Sequence, residues 1–380
     1  MFNKRVMGKI EGELKEYFGV KHAFMVSSGK AALALILMGL QGMSNKKKVI
    51  IPAYTCYSVP SAVAMTGLEI VLCDLLPETL DYDFDELEKL AGEDTLCIIS
   101  THLFGIPSDV RRIREIGRKR GIFVIEDAAQ AMGAVQGREK LGTLGDAAFF
   151  SLGRGKNITC GSGGIIVTSS DDIGQNVQKH YLELKEEPLG EYVKNMIEVV
   201  FMKFFIHPSF YWFPEGLPFL KIGETRFYAT FPVHRLSRFK AGLLHRWSAN
   251  LEYNNNFRSK VAKYYIRELD LNINIPIYSD EFNYLRFPLY LHHGNRKDHT
   301  CNRYRYLGVS SMYPDSINNI VEIREKFASM QYKNAEMIAK TLFTLPTHVL
   351  IKEHDKNNIC EAVKKLPYNG CYFQSFQILN

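Results

Sequence analysis

Six apolar runs of four to six residues recur in the first 170 positions: Lys48–Ile51, Ile70–Asp74, Thr95–Ser100, Ile122–Ile125, Ala147–Phe150 and Ile165–Thr168. Each is too short for a buried helix and too uniformly apolar for a strand with one wet face, so each reads as a strand buried on both sides. Helical patterns fall between them, around Val59–Met65, after Asp85 and over Asp109–Arg120. This alternation predicts an α/β fold with a mostly parallel central sheet, flanked by helices, with its site at the carboxyl ends of the strands. A preceding amphipathic helix is expected over residues 4–18, where Val6, Ile10, Leu14 and Phe18 share one face.

The expected strand ends carry chemistry. Between Gly121 and Thr168, one strand delivers Glu126-Asp127 and then Gln130; the next ends at Ser151 and leads into a glycine-bracketed turn with Lys156. Earlier, Ser28-Gly29 feeds a helix, and free N–H groups at a helix start favour an anion. A carboxylate at one strand end, with a hydroxyl and a lysine 24 and 29 residues on, is what a pyridoxal phosphate (PLP) enzyme requires. The lysine attaches the cofactor, the acid partners the pyridinium nitrogen, and hydroxyls with backbone N–H groups hold the phosphate. Singly, each element has an ordinary reading: a helix cap, a salt-bridge partner, an exposed turn. Their order and spacing point to the cofactor.

The motifs EDAAQA, GDAAFFS, GKN and GSGGIIVT, in that order, resemble the DegT/DnrJ/EryC1/StrS family of PLP-dependent sugar aminotransferases, of fold-type I. VSSGKAAL, VIIPAYTCYSVPSAVAMTG, HLFGIPSDV, HRLSRFKAGL and LPTHVLIKEHD extend the resemblance over nearly the whole chain. It implies Lys156 as the Schiff-base lysine and proton shuttle, Asp127 at the pyridinium, Gln130 on the ring-hydroxyl side, and Ser28, Gly29 and Ser151 at the phosphate. It also implies a homodimer with shared sites, an amino-acid donor such as glutamate, and a keto-sugar acceptor, nucleotide-linked.

Four positions depart from the family pattern. Lys30 stands where a threonine hydroxyl would touch the phosphate, and Val233 where an asparagine would reach the neighbouring subunit's phosphate. Cys56 takes the place of the ring-stacking aromatic, with Tyr54 and Tyr57 beside it; Cys56 and Tyr57 are both candidates for contact with the cofactor. Arg154 occupies a position that is usually small or proline. Lys30 and Arg154 are cations that could replace the missing phosphate donors. His102 reads as a loop histidine, outside the catalytic set, and the segments containing Tyr313 and His348 carry no assigned role.

The length favours two domains or one large α/β domain with a satellite, and with the resemblance the expected division is a large PLP-binding domain over 1–240 and a smaller C-terminal α+β domain over 241–380. The large domain includes an aromatic- and proline-rich excursion at about 190–232, whose apolar stretch around 193–221 reads either as packed against the body or as a peripheral contact with the inner membrane surface. Nothing resembles a nucleic-acid module, the seven cysteines form no CxxC pair and no metal site, and the charged N-terminal helix is unlike a signal peptide. The net charge of +6 suits an acidic substrate. A cytoplasmic aminotransferase is the expectation. A membrane-associated or non-sugar substrate, or a non-catalytic scaffold, are the alternatives; a lysine at position 156 argues against a dehydratase, whose branch carries histidine there.

Overall fold

In the computed structural model the described residues are 2–188, 225–291 and 297–366, with positions 190, 192, 193, 196 and 197 between them. All six strands expected in the first 170 positions form, and one more precedes them. They are β1 (His22–Val26), β2 (Lys48–Pro52), β3 (Glu69–Cys73), β4 (Thr95–Thr101), β5 (Phe123–Asp127), β6 (Ala147–Ser151) and β7 (Gly164–Thr168). They make one seven-stranded sheet in the order β1-β7-β6-β5-β4-β2-β3, in which β7 alone runs antiparallel. The carboxyl ends of the parallel strands therefore share one edge with the amino end of β7. Register fixes the neighbours along that edge: Thr101 lies opposite Asp127, Asp127 opposite Phe149, and Gly164 opposite both Ser151 and Val26.

The flanking helices are α1 (Phe2–Phe18), α2 (Gly29–Gln41), α3 (Ser58–Met65), α4 (Phe84–Leu90), α5 (Val110–Arg118) and α6 (Asp171–Glu183). α2 is apolar nearly all round, and Ala31 to Leu37 are fully buried, as a helix sandwiched between the sheet and α6 must be. α4, α5 and α6 start at Asp83, Asp109 and Ser170, each side chain accepting from a backbone N–H of the first turn. The sequence pattern does not announce α6.

HRLSRFKAGLLHRW forms α7 (Arg238–Leu243) and then opens α8 (Trp247–Glu268), with Arg246 between them in the left-handed region (φ 59°). The break gives the two halves different anchors. Trp247 donates its indole N–H to Glu13 (3.0 Å), while Lys240 turns inward to Glu187 (2.9 Å). α8 then crosses to a two-stranded antiparallel sheet of β8 (Arg286–Tyr290) and β9 (Leu342–Pro346), covered by α9 (Lys297–Tyr304), α10 (Lys333–Thr341) and α11 (Glu353–Lys364). LPTHVLI contributes only its first two residues to β9. The two sheets share a continuous apolar core, and Asp74 caps α10 by accepting from the N–H groups of Asn334 and Ala335. The apolar run of the excursion lies largely outside the described residues. No helix among the described residues is long and apolar enough to cross a membrane.

Candidate active site

Two glycines decide how closely the strand ends and the start of α2 approach. A Cβ on Gly164 would lie 2.3 Å from the carbonyl oxygen of Ser28, and one on Gly29 would lie 3.1 Å from Cβ of Ser151. Without side chains there, β7, β6 and the first turn of α2 close around one point. Ser28 caps the helix, its Oγ accepting from the N–H of Ala31 (3.2 Å), and Ser151 Oγ accepts from the N–H of Gly153 (3.3 Å). This close approach sets the N–H groups at the start of α2 beside two hydroxyls, the groups from which an anion cradle is made.

One strand over, Asp127 is 5% exposed at the end of β5. Its Oδ1 accepts from the N–H of Ala129 (3.1 Å), and no hydrogen bond reaches Oδ2 from the described residues. Burial pushes this carboxyl up, against the Ala129 N–H, Lys156 and His102, which favour its charge. Gln130, one turn on, is held at both ends: its Oε1 accepts from the N–H of Phe104 (3.1 Å) and its Nε2 donates to Tyr313 Oη (2.6 Å).

Lys156 follows Gly155, which has φ +73° and so needs glycine. Desolvation pulls the ammonium of Lys156 below the ordinary lysine value, with Cys56 and Asp127 pulling it back. No ion pair ties it among the described residues. The turn is gripped from behind by α8, because Asn254 donates to the carbonyl of Asn157 (2.9 Å) and Asn157 donates to Asn255 Oδ1 (3.0 Å). Asn255 in turn donates to the carbonyl of Met132 (2.9 Å), which joins the lysine turn to the turn after Asp127. Sequence reading missed both asparagines and the role of Tyr313; the only local signal was the run Asn254-Asn255-Asn256 on a helix.

The remaining candidates divide. Cys56 is the only partly exposed cysteine among those described, and it lies near both Lys30 and Lys156. Tyr57 sends its hydroxyl to the carbonyl of Asp315 (3.2 Å), and Tyr54 packs edge-on against Tyr313 (5.5 Å between rings). The ammonium of Lys30 sits over the rings of Phe231 (4.6 Å) and Tyr228 (4.7 Å), and desolvation lowers its pKa. Val233 stands in a segment tied to β1, where Ser27 and His234 exchange hydrogen bonds. Arg154 is exposed.

His102 is held at both ring nitrogens. It is fully buried, with Nδ1 accepting from the N–H of Ser108 (3.1 Å), so the proton is on Nε2, facing Glu126 (2.9 Å). Glu126 also accepts from the N–H groups of Gly142, Leu144 and Gly145 (2.6–2.7 Å), which leaves the carboxylate fully engaged in holding that loop. No group of three or more His, Cys, Asp or Glu among the described residues is placed to hold a metal.

Solved structures share this architecture. The aminotransferase PseC of Helicobacter pylori, described as involved in the biosynthesis of pseudoaminic acid, superposes with a TM-score of 0.74 at 20% identity, over 95% of this chain and 90% of that one. NtdA of Bacillus subtilis, solved with the cofactor PMP, gives 0.74 at 21% identity, over 94% and 76%. The fold is thus the fold-type I transferase architecture. GDP-perosamine synthase of Caulobacter vibrioides is 37% identical over 174 residues, which is 46% of this chain and 47% of the relative, so the aligned stretch is about half of either. The sequence model described as the DegT/DnrJ/EryC1/StrS aminotransferase family matches residues 4–364. The chain belongs to the DegT/DnrJ/EryC1/StrS aminotransferase family.

Proposed function

We propose that this protein is a PLP-dependent aminotransferase that moves an amino group from an amino acid, glutamate by preference, to the keto group of a nucleotide-linked sugar. One observation carries the reading: a buried carboxylate with an open oxygen, a desolvated lysine and a helix-start anion cradle lie along one sheet edge. These residues fit PLP. Asp127 Oδ2 would accept from the pyridinium nitrogen, the N–H groups at Gly29 with Ser28 and Ser151 would take the phosphate, and Gln130 would meet the ring oxygen. Bound there, the pyridine ring supplies an electron sink for the carbon being aminated.

The protein's own part is attachment, orientation and proton transfer. Desolvation keeps a larger share of Lys156 as the neutral amine near neutral pH, the form able to attack a carbonyl and to take or return a proton. Asp127, negative opposite the ring nitrogen, favours the protonated ring. Donor and acceptor use the same lysine in turn, so ping-pong kinetics are expected. The same proposal includes a boundary near residue 240 between two domains and a second copy of the chain as partner. The acceptor class rests on the likeness to a GDP-perosamine synthase and on the net charge of +6, which suits a diphosphate.

The test is the absorbance spectrum of the protein with PLP, before and after glutamate. A visible band that Lys156→Ala abolishes, and that glutamate bleaches, supports the proposal. A band indifferent to every amino acid points to another PLP reaction, and no band to a scaffold.

A further inference from the structure

We infer that Tyr313 is a positioning residue for the cofactor: it holds the Gln130 amide so that its second N–H points at the oxygen on the ring. This rests on the PLP reading above and assigns a role to a residue on the far side of the pocket.

Gln130 is 5% exposed and held at two points. The N–H of Phe104 bonds to Oε1 (3.1 Å), so a flipped amide would set donor against donor. That contact fixes which end is nitrogen but leaves the group free to pivot about it. The bond from Nε2 to Tyr313 Oη (2.6 Å) removes the pivot and uses one of the two amide hydrogens, leaving the other for a ligand. Tyr313 itself has little freedom. Its ring lies edge-on to Tyr54, and its segment is pinned to the carboxyl edge of the large sheet, where Ile317 N–H donates to the carbonyl of Ala53 (2.8 Å). The same segment accepts the Tyr57 hydroxyl at Asp315. Burial, Cys56 and Asp127 together hold the Tyr313 phenol protonated, so Oη stays a neutral acceptor for the amide. Placement of a ring-oxygen donor thus depends on a side chain contributed from some 180 residues downstream.

Tyr313→Phe keeps the ring against Tyr54 and removes one oxygen. A donor at the ring oxygen stabilises its negative form, and that charge loss at the oxygen weakens the hold on the neighbouring proton. Freeing the amide therefore moves the pH transition of the bound cofactor's visible band upward, by about half a unit or more, and loosens PLP about 3- to 10-fold. Melting curves check that the variant folds. Gln130→Leu is the companion: it shifts the band in the same direction, and Tyr313→Phe adds nothing on top of it if the tyrosine acts through the amide. An unshifted transition in Tyr313→Phe, an unshifted one in Gln130→Leu, or additive shifts in the double variant overturns the inference. If the wild type shows no visible band with PLP, the cofactor reading falls and takes the inference with it. A wild-type band with unshifted variants overturns the inference alone.

Discussion

Gly164→Ala is expected to open the anion cradle, and the geometry gives the size of the effect. A methyl at this position would stand 2.3 Å from the Ser28 carbonyl oxygen, 2.6 Å from its carbon and 3.0 Å from the Gly29 nitrogen. A carbon–oxygen contact relaxes at about 3.3–3.6 Å, so the start of α2 must recede by roughly 1 Å. No flexible side chain can absorb this, since all three atoms are backbone. Gly164 is also paired on both sides, with Val26 and Ser151, so β7 cannot retreat without breaking ladder bonds. Overpacking of this kind costs about 1–3 kcal/mol. The larger consequence falls on the ligand, because a 1 Å displacement within a preorganised site costs about 100-fold in function. PLP titration followed by absorbance should show the affinity falling by one to two orders of magnitude, while melting shifts by only a few degrees. Gly12→Ala is the control: nothing lies within 4 Å of its Cβ, it is exposed within α1, and helix propensity should raise stability by about 0.5–1 kcal/mol. If Gly164→Ala bound PLP as tightly as the wild type, the cradle would not be where the phosphate sits.

Glu126→Gln replaces an acceptor of three backbone N–H groups with a group that must turn a donor toward one of them, and urea melts should show a loss of about 3 kcal/mol or more. Lys240→Met takes the ammonium from a buried pair with Glu187, whose side chains are only 3% and 5% exposed; a loss of about 3 kcal/mol is expected, part of it restored in the Lys240→Met/Glu187→Gln double variant. Lys156→Met removes an ammonium that burial disfavours, so the PLP-free variant should melt higher than the wild type at neutral pH. The sign follows from the lowered pKa: between that value and about 10.4 the unfolded chain binds more protons, so wild-type stability gains on the variant as pH rises, and the gap stops changing above it. A gap that is flat with pH would refute the assignment.

What could be read from the chain before its fold follows from the range of the forces involved. Strands buried on both faces must be apolar throughout, and β2, β4 and β5 were therefore visible in short windows. Asp127, Ser151 and Lys156 were legible because a parallel sheet sends its strand ends to one edge, so sequence order alone gathers them. The antiparallel course of β7 left no such mark; yet it is what brings Gly164 between Ser28 and Ser151, and so sets the width of the cradle. α6 escaped because its apolar face is narrow, only Ile173, Gly174 and Val177 being buried. Residues that act by holding others were the hardest to see. Tyr313 and Asn255 have no pattern of their own, and each matters through a bond to a residue more than 100 positions away. Lys30 is a different case: its place at a helix start suggests a phosphate ligand, and the 225–231 segment supplies two rings on which its ammonium rests. A lone cation at a helix N-terminus is repelled by the macrodipole, so an aromatic face within reach is the better resting place until an anion arrives to compete for it.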